Sequence, residues 1–219
     1  MTQEEEIRRM WEIFRVEADN PISLRALKPA APAINKVFRA TQYPDLTDRQ
    51  QAFEVEALRL NAEGYNVYLP LNPICSDFIM GPVGDGDIAC RRLLLIDIDR
   101  AAVAREPATD SEVAAALSLA DDVAKYLVDE GWDAPARVMS GNGAHLYVPL
   151  ADLSNDDGTK ELLRQVLQML AADFDTPTVK IDTAVYNAGR ITKVPGTFAR
   201  KGQESPDRPY RMARVLPCR

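Results

Sequence analysis

Three short runs hold most of the reactive chemistry in this 219-residue chain. The first, Leu93-Leu94-Leu95-Ile96-Asp97-Ile98-Asp99, ends an apolar stretch in two carboxylates. Residues i and i+2 of a strand face the same way, so Asp97 and Asp99 project together. Two carboxylates that close repel unless one takes a proton or a cation lies between them. Mg²⁺ or Mn²⁺ suits such hard oxygen ligands. Asp182, after Ile181 in a short strand candidate, adds a third. Three aspartates can hold two metals roughly 3.5–4 Å apart, one for an attacking hydroxyl and one for a triphosphate. The plain alternative is a strand end meeting solvent, where Asp is a turn residue.

The second run is Ser140-Gly141-Asn142-Gly143-Ala144-His145. Its glycines let the backbone bend sharply and aim N–H groups at an anion. The same residues also make an ordinary Asn-Gly hairpin turn. His145 is the only histidine and shares a strand face with Tyr147. A lone histidine is more often structural than catalytic. Beside a phosphate-friendly turn, it reads as a hydrogen-bond donor to a nucleotide phosphate rather than a general base. The third run places Arg190 and Lys193 around a strand-like stretch. A basic pair at a sheet edge is usually just solvated. Next to the aspartates, Arg190 offers a fork and Lys193 a point charge for a triphosphate. Arg200 and Lys201, just beyond, read as contacts to a nucleic-acid backbone or to solvent.

The elements that must position these groups can be traced along the chain. Thr2-x-x-Glu5 is a capping box, and Ile7, Trp11 and Phe14 share one face of a helix over 3–16. Pro21, Pro29 and Pro32 punctuate a loop with one strand candidate, Ile22 to Leu27. Thr47-x-x-Gln50 opens a second helix that Gly64 can end, and Tyr65 to Leu71 reads as a strand. A Gly/Asp-rich turn spans Gly81 to Asp87. Residues 92–98 form a near-continuous apolar run, the mark of a strand buried on both faces. Thr109-x-x-Glu112 caps a long Ala/Leu helix stopping at Gly131. Strands Arg137–Ser140 and Ala144–Leu150 follow, then a helix over 158–173. Short strand candidates lie at Val179–Thr183, Arg190–Val194 and Tyr210–Leu216. The class is α+β. The order β-α-β-β-α-β over residues 91–219 is an RRM-like unit, with residues 1–90 as an N-terminal α/β module packed against it.

Bulk properties narrow the setting. The length suits one large domain or two intimate modules. No stretch approaches the 18 apolar residues of a membrane span, and the acidic start lacks the apolar core of a signal peptide. Cys75, Cys90 and Cys218 are scattered and form no CxxC pair, so neither zinc nor a disulfide framework is expected. A cytoplasmic protein with reduced thiols is the expectation. Net charge is −7, yet Lys180–Arg219 carries nine Lys/Arg against three Asp/Glu. Such a basic tail can track phosphates by counterion release, or merely be solvated.

With these residues in place, the chain resembles the archaeo-eukaryotic primase superfamily, in the branch of bifunctional primase–polymerases from phages, plasmids and other mobile elements. The resemblance covers about residues 50–216. It rests on Gly64-Tyr65-Asn66-Val67-Tyr68, Asp87-Ile88, Ile96-Asp97-Ile98-Asp99, the Ser140–His145 run and the stretch from Asp182 to Gly202, in that order. Each piece is weak alone; together, in sequence, they are specific. The resemblance implies template-directed synthesis from NTPs or dNTPs on a single-stranded DNA template, in a cleft between the two modules. It implies Asp97, Asp99 and Asp182 as metal ligands for Mg²⁺ or Mn²⁺. Ser140 and His145 would contact the incoming triphosphate, with Asn142 a competing donor, and Arg190 and Lys193 would neutralise it. It also implies Asn66 and Tyr68 near the nucleotide and a helicase as a common companion domain or subunit. The chain departs from the family where many members have Ser two residues before the histidine; here that position is Gly143.

Two other classes fit parts of the pattern. One is a different palm-like nucleotidyltransferase or a cyclase, against which the glycine turn with its histidine and the late Asp182 weigh. The other is a non-catalytic module binding single-stranded nucleic acid through the basic tail. An RRM-like sheet of that kind stacks bases on exposed aromatics, and no aromatic pair marks a central strand here.

Overall fold

A computed structural model describes residues 1–102 and 105–217; Cys218 and Arg219, the end of the basic tail, lie outside them. Helix α1 (Gln3–Phe14) begins at the expected capping box, with the Thr2 hydroxyl accepting from Glu5 N–H and the Glu5 carboxylate accepting from Thr2 N–H. Strand β1 (Ile22–Leu27) is followed by β2 (Ile34–Phe38), which the sequence pattern does not reveal. Two polar residues in five and the nearby prolines weaken its alternation, and pairing with β1 supplies the stability. Helix α2 (Leu46–Ala62) is capped by Asp45 rather than by Thr47: one Asp45 carboxylate oxygen accepts from the amides of Thr47 and Asp48. Gly64, at φ +91°, ends it in the left-handed conformation a Cβ would oppose.

Strand β3 (Asn66–Pro70) leads through a 3₁₀ turn at Asp85–Asp87 to β4 (Arg91–Arg100), then α3 (Asp110–Asp129) with its Thr109–Glu112 capping box. Next come β5 (Ala136–Met139), β6 (Ala144–Leu153), α4 (Asp157–Phe174), β7 (Val179–Ile181) and β8 (Ile191–Lys193). The expected strand 210–216 is divided: β10 (Arg211–Met212) pairs with β9 (Phe198–Ala199), and β11 (Arg214–Val215) pairs with β5.

These strands make a mixed α+β protein with antiparallel sheets. One sheet has the order β2-β1-β3-β8, the other β11-β5-β6-β4-β7, and β9 with β10 forms a small ribbon. Strand β8 crosses the 1–90/91–219 division by completing the sheet that begins with β1 and β2. Helix α2 covers the first sheet, and α3 with α4 covers the second. One hydrophobic core runs through both, including Leu24 and Leu69 from the first and Leu94, Ile96 and Leu146 from the second. Strand β4 is an inner strand, between β6 and β7, and its run Leu93–Ile96 is buried. Full burial of each such side chain contributes about 1.5–3 kcal/mol. Among the described residues no helix is long and apolar enough to cross a membrane.

Candidate active site

A cleft of about 630 Å³ opens between the two sheets. Leu27, Asn66 and Tyr68 line it from the first sheet, and Asp97, Asp99 and His145 from the second. Strand pairing explains why the second wall is chemically rich. Asp97 lies directly opposite His145 in the β4–β6 register, so both side chains leave the sheet on one face. His145 Nε2 is 3.4 Å from Asp97 Oδ1. Asp99 follows two residues on and shares that face.

The two carboxyls are pushed in opposite directions. Burial raises the Asp97 carboxyl, but His145, Arg190 and Lys201 outweigh it and hold it below the usual carboxylate range. Burial and the Asp97 charge together push Asp99 up. A negative charge is therefore concentrated on Asp97, and the second one is resisted.

Behind His145 lies a hydroxyl pair that the sequence motifs did not mark. His145 Nδ1 is 3.1 Å from Tyr147 Oη and 3.3 Å from Thr192 Oγ1, and these two oxygens are 2.7 Å apart. Tyr147 is fully buried, its ring edge-on to Phe14. The imidazole is thus held from the rear by the core, with Nε2 directed to Asp97. Tyr147 was legible as the i+2 neighbour of His145; Thr192 was not, because only the β3–β8 pairing brings it there.

Asp182 is placed differently. Its backbone continues the β4–β7 ladder, with Asp182 N–H donating to Asp97 O at 2.8 Å. Its side chain is exposed, and Oδ1 accepts from Ala184 N–H at 2.8 Å. Asp182 is not among the cleft-lining residues, and among the described residues no three His, Cys, Asp or Glu side chains are grouped to hold a metal.

The Ser140–Gly143 turn closes one end of the cleft. Ser140 N–H donates to Gly143 O, and Ser140 Oγ accepts from Gly143 N–H. Asn142 Oδ1 accepts from Ala108 N–H, tying the turn to the start of α3. Ser140 and Asn142 both line the cleft. Gly143 is required by contact: a Cβ there would stand 2.2 Å from Ile98 O and 2.4 Å from Asp99 Oδ1. A serine at this position would meet the same overlap.

The cations converge from the other side. Arg190, Lys193, Arg200 and Lys201 all line the cleft. Arg190 Nη2 donates to Ala184 O at 2.6 Å, while its buried Nε lacks a partner. Lys193 is buried, donates from Nζ to Phe198 O at 2.9 Å and lies 5.6 Å from the Tyr68 ring centroid. Burial first, then the Arg200 charge, drives its ammonium well below the ordinary lysine range. Tyr68 is pushed up by burial and by the Asp97 charge. Arg200 stacks its guanidinium 5.4 Å from the Phe198 ring and keeps a buried Nη1 without a partner. Its backbone is pinned by Asn66, whose side-chain amide exchanges two hydrogen bonds with Arg200 N–H and O. Asn66 thus reaches the cleft, yet spends its amide on holding that segment.

No family model matches the sequence, and no curated protein does. Solved structures do match in fold. The chain resembles the archaeo-eukaryotic primase domain of the cyanophage S-2L primase–polymerase at a TM-score of 0.56 and 14% identity, covering 97% of this chain and 89% of that one. The catalytic domain of primase RepB′, solved in complex with initiator DNA, matches at 0.55 and 15% identity, covering 99% and 85%. The polymerase domain of Mycobacterium tuberculosis ligase D, in complex with DNA, matches at 0.51 and 16%, covering 92% and 79%. The chain has an archaeo-eukaryotic primase-type fold.

Proposed function

We propose that this protein carries out metal-dependent, template-directed nucleotidyl transfer, as a DNA primase, a DNA polymerase or both. The observation that carries the reading is one cleft, in a primase-type fold, where Asp97 and Asp99 face Arg190, Lys193, Arg200 and Lys201. The strand order β5-β6-β4-β7, with α3 and α4 on one face, supports an RRM-like palm beneath that cleft.

A divalent cation fits the donor set. Asp97 and Asp99 present hard oxygens from one strand face, and the resistance of Asp99 to a second negative charge is what a cation would relieve. Asp97 and Asp99 would hold Mg²⁺ or Mn²⁺, which supplies charge neutralisation for the triphosphate and activates the attacking hydroxyl when bound. Asp182 would join them only by releasing Ala184 N–H.

The chain's own groups then divide the work. His145, braced by Tyr147 and Thr192, holds an N–H toward the acidic cluster and an incoming phosphate. The partnerless guanidinium nitrogens of Arg190 and Arg200 offer donors to phosphate oxygens. Lys193 adds charge deep in the cleft, and Lys201 adds it at the rim for a DNA backbone. Together they favour the extra charge that develops on the triphosphate in the transition state.

The test is an incubation with unprimed single-stranded DNA, labelled NTPs or dNTPs, and Mg²⁺ or Mn²⁺, resolved on a gel. Template-dependent oligomers that vanish in an Asp97→Ala/Asp99→Ala variant support a primase. Extension of an annealed primer alone supports a polymerase. Absence of both, with single-strand binding intact, replaces the reading with a binding module.

A further inference from the structure

Glu112, outside the cleft, connects its two charged walls. A single oxygen, Oε2, accepts from Thr109 N–H at 2.7 Å, from Arg100 Nη1 at 2.9 Å and from Arg208 Nη1 at 2.9 Å. The two guanidiniums come from opposite sides of the site. Arg100 follows Asp99 on β4. Arg208 lies in the excursion between β9 and β10 that delivers Arg200 and Lys201 to the cleft.

Both guanidiniums also donate to Pro107 O, at 3.2 Å from Arg100 and 2.8 Å from Arg208. Two cations sharing the same acceptors repel unless an anion stands between them. Neighbouring contacts close the same seam. Arg211 Nη2 meets Asp110 Oδ1 at 2.6 Å, and Arg211 Nη1 meets Ala108 O at 2.6 Å. Gly202 sits at φ +65°, and a Cβ there would fall 1.9 Å from Arg105 O, so the 200–210 excursion lies directly on the segment before α3.

We propose that Glu112 is a positioning residue: by bridging Arg100 to Arg208 it sets where Arg200 and Lys201 stand relative to Asp97 and Asp99, and so governs phosphate binding without touching substrate. The carboxyl stays ionised through the working range, because the Thr109 amide and the two arginines outweigh its burial and hold it at about 2. The bridge is therefore permanent rather than a pH switch. The role in binding rests on the nucleotidyl-transfer reading; the role in holding the excursion does not.

The experiment compares wild type with Glu112→Gln, which keeps an acceptor for the cap but removes the charge, and with Arg208→Gln, which keeps the Glu112 carboxylate on the Thr109 amide while removing its partner in the excursion. Hydrogen exchange is read over 200–210 and over α3, and binding of a fluorescent single-stranded oligonucleotide is read across a salt series. Both variants should speed exchange at least tenfold in 200–210 while α3 stays protected. Both should weaken binding about five- to tenfold and make the slope of log K against log salt shallower by about 1 to 2, as lost phosphate contacts require. The double variant should fall short of the sum of the two single effects, since the two residues share one contact. In turnover, KM should rise more than kcat falls. Unchanged exchange in 200–210 overturns the proposal. Faster exchange with wild-type binding and salt slope confines Glu112 to a structural role and overturns its part in binding. A wild-type protein that binds no DNA overturns the nucleotidyl-transfer reading itself.

Discussion

Asp97 and His145 face one another across the β4–β6 pair, with Oδ1 and Nε2 3.4 Å apart, and the far nitrogen of the imidazole is fastened to Tyr147 and Thr192. A carboxylate at the head of the acidic pair is thereby linked, through one ring, to the protein core. The cationic side is anchored as well, by the Asn66 amide on the Arg200 backbone and by Lys193 Nζ on Phe198 O.

Removing the carboxylates should separate folding from chemistry. Asp97→Ala/Asp99→Ala should keep its circular dichroism and its melting temperature within a few degrees, since the burial and the Asp97 repulsion that raise Asp99 both disappear. Metal-dependent incorporation should fall by at least about 10²–10³-fold, the scale seen when a transition-state charge loses its partner. Incorporation at the wild-type rate would remove these residues from the site.

The brace behind the histidine should matter for rate more than for stability. Thr192→Val leaves Tyr147 Oη one partner fewer in a buried place, costing about 1–3 kcal/mol in urea unfolding. Because the imidazole loses a contact at Nδ1, kcat should drop about tenfold with little change in DNA binding. Thr192→Ser, which retains the hydroxyl, should recover most of the rate.

Gly143 should refuse any side chain. Gly143→Ser places its Cβ against Ile98 O and Asp99 Oδ1, and β4 must move to relieve the overlap. We expect a loss of about 1–3 kcal/mol in denaturant unfolding together with lowered incorporation. Gly131→Ala is a useful control: a Cβ there has open space, so only the left-handed backbone at φ +87° is strained.

Lys193 should take up a proton when a polyphosphate binds. Its ammonium is depressed well below the ordinary lysine range in the free protein, and a nearby anion raises it again. Between those two values binding absorbs a proton, so affinity falls as pH rises, by at most tenfold per unit. Titration calorimetry in two buffers of different ionisation enthalpy measures the uptake, which Lys193→Met should abolish. The same shift has a sign for stability. In the window between the depressed value and that of an unfolded lysine, the unfolded chain holds more protons, so stability increases with pH. Lys193→Met should flatten that slope in urea unfolding series.

Local patterns were enough for much of the framework. The capping boxes at Thr2 and Thr109 are satisfied within four residues of chain, and the i, i+2 geometry of Asp97 and Asp99 is intrinsic to any strand. The apolar run before them reads as a strand buried on both faces, and the structure places it in β4 with the carboxylates at its end. The cap of α2 lies two residues before the Thr47 that the capping pattern suggests, because Asp45 and Thr47 both suit the role and only the geometry of the turn chooses.

What depended on tertiary structure are the relationships between distant segments. Strand β8 belongs to the first sheet because β3 pairs with it, which brings Thr192 to His145 and buries Lys193 under Tyr68. Asp182 reaches the ladder beside Asp97 while its own turn claims its carboxylate for Ala184. Glu112 reads locally as a helix cap, yet its two arginines come from positions 100 and 208. By itself the sequence determined where carboxylates, glycine turn and cations lie along the chain, since strand periodicity and capping act over a few residues. Which of them meet was decided by pairing and burial between segments tens of residues apart, where the energy depends on the completed fold and leaves no local period to read.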